Sequence, residues 1–150
     1  MPKHYATYLL SAFALALAAC QSKQPDLPLV GTWKLVAATT TEKDTTFSTF
    51  DPSHAMIKVI NPTHFAFLNH NTTAKDSATH EFTAGGGTYS LADSTYTEHL
   101  AYFTDKQWEN HDFSFVVSIH GDTLVQKGVE KVEKLGIDRV ITETYVRVKE

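Results

Sequence analysis

Leu29-Val30-Gly31-Thr32-Trp33-Lys34-Leu35-Val36 is the stretch on which the reading of this chain turns. Gly31, Trp33, Leu35 and Ala37 share one face by the two-residue period of a strand. The pattern predicts a first strand over residues 29–37, with Trp33 plugging one end of a small antiparallel barrel. Upstream lies an apolar leader, and downstream lie further strand patterns.

The chain has 150 residues, enough for one core and too few for two. Hydrophobic residues make up 42% and charged residues 20%, a folded rather than a disordered balance. Val, Ile, Thr, Tyr and Phe are abundant, and no run rich in Ala, Leu, Glu and Lys follows residue 20, which favours strands. Net charge is -4, or -5 without Lys3, and Lys and Arg do not cluster. Nucleic acid is therefore not an expected partner. The single cysteine, Cys20, excludes an intramolecular disulfide and a Cys-based zinc site.

Lys3 and His4 precede an apolar run, Tyr8 to Ala19, too short to span a bilayer comfortably and ending in small residues, as a cleaved signal does. Leu17-Ala18-Ala19-Cys20 resembles the bacterial lipobox. The resemblance implies a signal peptide over 1–19, cleavage before Cys20 and acylation of its thiol. Several acyl chains on one residue make a stable membrane anchor. Gln21 stands where some bacterial lipoproteins carry the Asp that retains them at the inner membrane, so the outer membrane of the cell envelope is the expected location. Residues 21–28 read as a polar, Pro-broken tether, and the barrel domain as residues 29–150. The alternative is a plain secretory signal with an incidental cysteine.

Beyond the first strand, residues 38–53 are Thr-rich and end in Asp51-Pro52, predicting a long loop that carries Phe47 and Phe50 over the open end. Strands are expected at about 55–60 and 64–69, joined by Asn61-Pro62-Thr63. Another is expected over 79–83, broken or bulged at Gly85-Gly86-Gly87 before Thr88-Tyr89-Ser90-Leu91 resumes it. In the strand at 95–103, Tyr96, Glu98, Leu100 and Tyr102 share a face. Strands at 112–119 and 123–128 flank the turn His120-Gly121-Asp122, and a final strand covers 139–148. Residues 130–138 read as a hairpin loop or a single helical turn. Short joins between about eight strands predict an all-β, up-and-down antiparallel barrel, whose closure also removes exposed sheet edges.

With Gly31-Thr32-Trp33 on the first strand and Arg147 on the last, the chain resembles the calycin superfamily of lipocalins and fatty-acid-binding proteins. The resemblance implies that Arg147 packs across the Trp33 indole at the closed end. Ile57-Lys58-Val59-Ile60, Pro62-Thr63-His64-Phe65, Gly85-Gly86-Gly87-Thr88-Tyr89, Tyr96-Thr97-Glu98 and His120-Gly121-Asp122 resemble, in that order, a bacterial lipocalin-like family of unknown function. It implies a fold and an envelope location and no assigned activity. The expected mature domain is shorter than a typical lipocalin and lacks the helix beside the barrel, which predicts a small cavity.

Glu98 is the residue to follow, because it shares the more apolar face of its strand. A carboxylate inside a barrel needs a partner, since an unpaired buried charge costs several kcal/mol. Arg147 and Gln126 are candidate partners, with Tyr89 or Tyr96 as hydroxyl donors. The expected binding set for a small hydrophobic or aromatic ligand is Tyr89, Tyr96, Glu98, Gln126 and His64, with Gly31, Trp33 and Arg147 structural. The alternatives are a structural Glu–Arg pair that specifies the fold or a Glu98 on the solvent face, and, for the whole protein, a filled barrel that acts through its loops.

Of the eight histidines, none are spaced for a metal site along a strand or helix, so no metal is expected. Gly85-Gly86-Gly87 lacks the following helix of a phosphate-binding loop, and no cofactor is expected. No Gly-x-Ser-x-Gly occurs, so no catalytic residue is assigned. An isomerase or hydrolase using Glu98 as general base is the minor alternative to a ligand-binding barrel. A pocket for a drug-sized ligand offers roughly 300 Å³ or more, which separates the binding and filled-barrel readings.

Overall fold

The computed structural model describes residues 28–149; Cys20, the leader and most of the tether lie outside the described residues. Runs of β-branched and aromatic residues form nine antiparallel strands. They are β1 (Gly31–Glu42), β2 (Thr45–Ser48), β3 (His54–Ile60), β4 (His64–Asn71), β5 (Phe82–Ala92), β6 (Thr95–Phe103), β7 (His111–His120), β8 (Thr123–Val132) and β9 (Ile137–Arg147). Strands β1 and β3 to β9 follow one another around a single sheet, and β1 also pairs with β9, closing it into an eight-stranded barrel. The short β2 hangs outside this ring on the far half of β1. The up-and-down antiparallel barrel expected from the sequence is the fold observed.

Three local expectations are adjusted. Residues 38–42, read as the start of a loop, continue β1, with Thr39, Thr40 and Thr41 paired to both β2 and β9. The Thr run is made of β-formers, and Lys43 and Asp44, both at positive φ, make the two-residue turn of a hairpin. Of the break or bulge expected at Gly85-Gly86-Gly87, the structure shows the bulge and not the break: β5 runs on through all three, and its register against β6 shifts between Gly86 and Gly87. A Cβ on Gly85 would overlap the Phe67 and Phe103 rings, and one on Gly86 or Gly87 would strike the backbone of the adjacent strand. The glycines give room for close approach, not a turn. Within residues 130–138 the single helical turn is present but shorter than expected: a 3-10 turn at Glu133–Leu135, closed by Gly136 at φ 67°, joins β8, which runs to Val132, to β9, which starts at Ile137.

A further correction follows from register. Between Gly86 and Gly87 the pairing with β6 slips by one residue, so Ala101 is extra and the alternation inverts beyond it. Tyr102 therefore points outward, 71% exposed, and Phe103 takes its place inside against Phe67 and Trp108.

Where β1 and β9 meet the short turns, Trp33 is fully buried and its indole N–H donates to Leu29 O at 2.8 Å. The Arg147 guanidinium lies 4.0 Å from the Trp33 ring centroid and donates to Val30 O at 2.9 Å and Pro28 O at 2.5 Å. This one side chain ties the last strand to the segment entering the first. Gly31 is small because a Cβ there would overlap that guanidinium. Leu29, Ile60, Phe65, Tyr96, Leu124 and Tyr145 complete this end. The other end gathers the longer connections, including β2, the 72–81 loop and the 3-10 turn Lys106–Trp108.

Arg147→Ala removes a cation–π contact worth about 0.5–2 kcal/mol and leaves two carbonyls without their donor. Urea unfolding should show a loss of about 1–3 kcal/mol, and Arg147→Lys should restore only part, because an ammonium cannot stack and fork at once.

Candidate functional site

Midway along the barrel, inward positions of four strands bring polar side chains together: Lys58 from β3, Glu98 from β6, Gln126 from β8 and Glu143 from β9. Lys58 is 2% exposed and Glu98 6%. The Lys58 ammonium donates to Glu98 Oε1 at 2.8 Å and to Gln126 Oε1 at 3.0 Å. It also faces the rings of Tyr145, Phe65 and Tyr96 at 5.4, 5.9 and 5.9 Å from their centroids. Two hydrogen bonds and three aromatic faces thus replace the water that this ammonium loses on burial.

Gln126 uses both ends of its amide. While its oxygen accepts from Lys58, its Nε2 donates to Glu143 Oε2 at 3.3 Å, and the Tyr145 hydroxyl donates to the same oxygen at 2.7 Å. The result is a continuous chain of contacts across the barrel, Glu98 to Lys58 to Gln126 to Glu143 to Tyr145. Burial pushes the Glu143 carboxyl above the ordinary carboxylate range, although Lys58 and the Tyr145 hydrogen bond pull the other way. Burial likewise raises the Tyr145 hydroxyl, with the Glu143 charge adding to the effect. Tyr96 is raised by burial and by Glu98, yet its hydroxyl makes no properly formed hydrogen bond among the described residues.

Above this polar floor is a cavity of about 220 Å³. Phe67, Leu100, Phe103, Phe113 and Phe115 form its walls. Trp108 lines it too, brought there by a 3-10 turn that Asp105 caps by accepting from the Gln107 N–H at 3.0 Å, and it packs on Phe103 and Phe113. On the β8–β9 side Arg139 donates to Glu130 Oε2 through two nitrogens, each at 2.7 Å, with its guanidinium 5.8 Å from the Trp108 ring centroid. A second hollow of about 200 Å³ lies under the lip formed by Thr49 and Phe50, and Met56 borders both spaces. Asn69, in that second hollow, carries a buried side-chain oxygen without a partner.

The residues expected from the sequence do not all come together. Glu98 and Gln126 line the cavity, while Tyr96 lies beneath it, in the core of the closed end. Tyr89 is not in the cavity; its hydroxyl donates to Asn61 O at 2.8 Å and steadies the β3–β4 turn. His64 points outward, bonded to Thr63 Oγ1 at 2.8 Å, beside a shallow outer groove floored by Gly85-Gly86-Gly87. Arg147 is not the partner of Glu98, since it is held at the closed end on Trp33. Lys58, which sequence reasoning missed, takes that role. Its signal was present in Ile57-Lys58-Val59-Ile60: Ile60 is inward, and Lys58 shares its phase. Among the described residues no group of three or more His, Cys, Asp or Glu could hold a metal ion.

Residues 28–150 match the model of a family described as Domain of unknown function (DUF4488). The chain belongs to this family. No curated protein and no solved structure matches it. The DUF4488 domain of this chain is thus an antiparallel β-barrel of lipocalin-like form.

Lys58→Met should strand a buried carboxylate and cost about 3–5 kcal/mol in denaturant unfolding. Adding Glu98→Leu removes that charge as well, so the double variant should recover most of the loss, and a double-mutant cycle reads the coupling directly.

Proposed function

We propose that this protein is a lipid-anchored, lipocalin-like barrel that holds a small, partly apolar molecule at the bacterial cell envelope, on the outer membrane. The observation that carries the binding half is the combination of aromatic walls over a convergent polar floor, the usual composition of a small-molecule site. At about 220 Å³ the cavity lies below the roughly 300 Å³ at which drug-sized pockets begin, so the guest is small. The anchoring half rests on the lipobox-like Leu17-Ala18-Ala19-Cys20. Glu98, with one oxygen already engaged by Lys58, is better placed to orient a guest than to act as a free general base. The small volume also favours a second reading, a filled barrel that acts through its loops.

Native mass spectrometry of the full chain carrying Cys20→Ser, purified without detergent, separates the two. A guest-binding barrel retains a small molecule that dissociates on collisional activation, whereas a filled barrel shows the polypeptide mass alone. For the anchor, the unsubstituted chain should fractionate with membranes and carry acyl mass on Cys20, and Cys20→Ser should release it to the soluble fraction.

A further inference from the structure

The charges lining the cavity do not balance. Three carboxylates, Glu98, Glu130 and Glu143, face two cations, Lys58 and Arg139. Each cation is taken: Lys58 is bonded to Glu98, and Arg139 to Glu130 through two nitrogens. Glu143 is left with neutral partners only, the Tyr145 hydroxyl and the Gln126 amide. Partly withdrawn from water, with its nearest cation Lys58 bonded to another carboxylate, Glu143 attracts either a proton or a positively charged guest. Beside it, Phe67, Phe103, Trp108 and Phe113 present aromatic surfaces, which attract cations through their faces and cover apolar groups equally well.

We propose that the guest is a small organic ammonium ion whose charged nitrogen sits against Glu143 and whose apolar body lies among these rings. This rests on the ligand-binding reading above and names the class of molecule bound. An organic anion fits the same space poorly: two donors of Lys58 are committed to protein acceptors, and Glu143 would repel it. The volume accommodates about one ring with a short chain.

The proposal carries a pH dependence. Besides Glu143, the titratable groups facing the site are Lys58 from β3, Glu98 from β6, Glu130 from β8, and Arg139 and Tyr145 from β9. Because burial holds the Glu143 carboxyl above its ordinary range, falling pH protonates it early, and a proton then competes with the ammonium. Binding is therefore strongest above that raised value and weakens as pH falls through it.

Isothermal titration of the full chain carrying Cys20→Ser, after any retained guest is dialysed out, tests this with three probes of similar size: phenethylammonium, 2-phenylethanol and 3-phenylpropanoate. Phenethylammonium should bind most tightly where Glu143 is ionised and lose affinity steadily as the pH is lowered through its raised titration. The alcohol should bind at least tenfold more weakly and the carboxylate not measurably. Glu143→Gln keeps the hydrogen-bond acceptor and removes the charge, so it should weaken phenethylammonium about tenfold and flatten its pH dependence. If the alcohol or the carboxylate binds as well as the ammonium, the cation assignment is wrong and the ligand-binding reading stands. If none of the three binds, the cation assignment is wrong, and the ligand-binding reading falls with it unless the native spectrum shows a retained molecule.

Discussion

An ammonium group shut inside a small sheet is the constraint around which this barrel is arranged. Lys58 can be buried only if acceptors meet it, and those acceptors come from strands distant in sequence: Glu98 on β6 and Gln126 on β8. Their meeting requires that the sheet curl until β3, β6 and β8 face one another across one interior. The β1–β9 pairing closes that curl, and Arg147 clasps the seam on Trp33. A buried ion pair of this kind adds little net stability compared with a hydrophobic replacement, but breaking it is expensive. Its effect is to penalise any register that separates the partners.

The two ends of the barrel divide the work. At the Trp33 end large side chains fill the interior, the turns are short, and Tyr89 and Asn61 tie one of them down through side-chain to backbone bonds. At the other end the connections are longer, and the interior is left partly open between aromatic rings and the polar floor. Packing is close where β1 begins and β9 ends, and looser at the opposite end. This arrangement lets a cavity exist in a chain of only 150 residues without costing the fold its plug.

Much of this was legible in the amino-acid order, and the failures have definite physical causes. Alternation assigned Trp33, Phe65, Tyr96, Glu98 and Gln126 to shared faces, because a half-buried strand imposes a period of two. Alternation gives the face but not the height along the barrel, so Tyr89 and Tyr96, inward but low, were grouped with Glu98 as if level with it. His64 neighbours the inward Phe65 and so had to face outward. The inversion that exposes Tyr102 was invisible from β6 alone, since the slip arises in its pairing with Gly86 and Gly87 on β5. Lys58 was overlooked because lysine is rarely buried unless paired, and its partners are 40 and 68 residues away in sequence.

The enclosure of Lys58 can be measured without any ligand. Brief acylation of the native protein with an amine-reactive reagent, followed by peptide mass spectrometry, reports the accessibility of each lysine. The account predicts rapid labelling of the exposed lysines Lys43, Lys106 and Lys149. Lys58 should resist until the chain is unfolded in denaturant. Labelling of Lys58 in the native protein at the rate of the exposed lysines would contradict a closed barrel built around its charge.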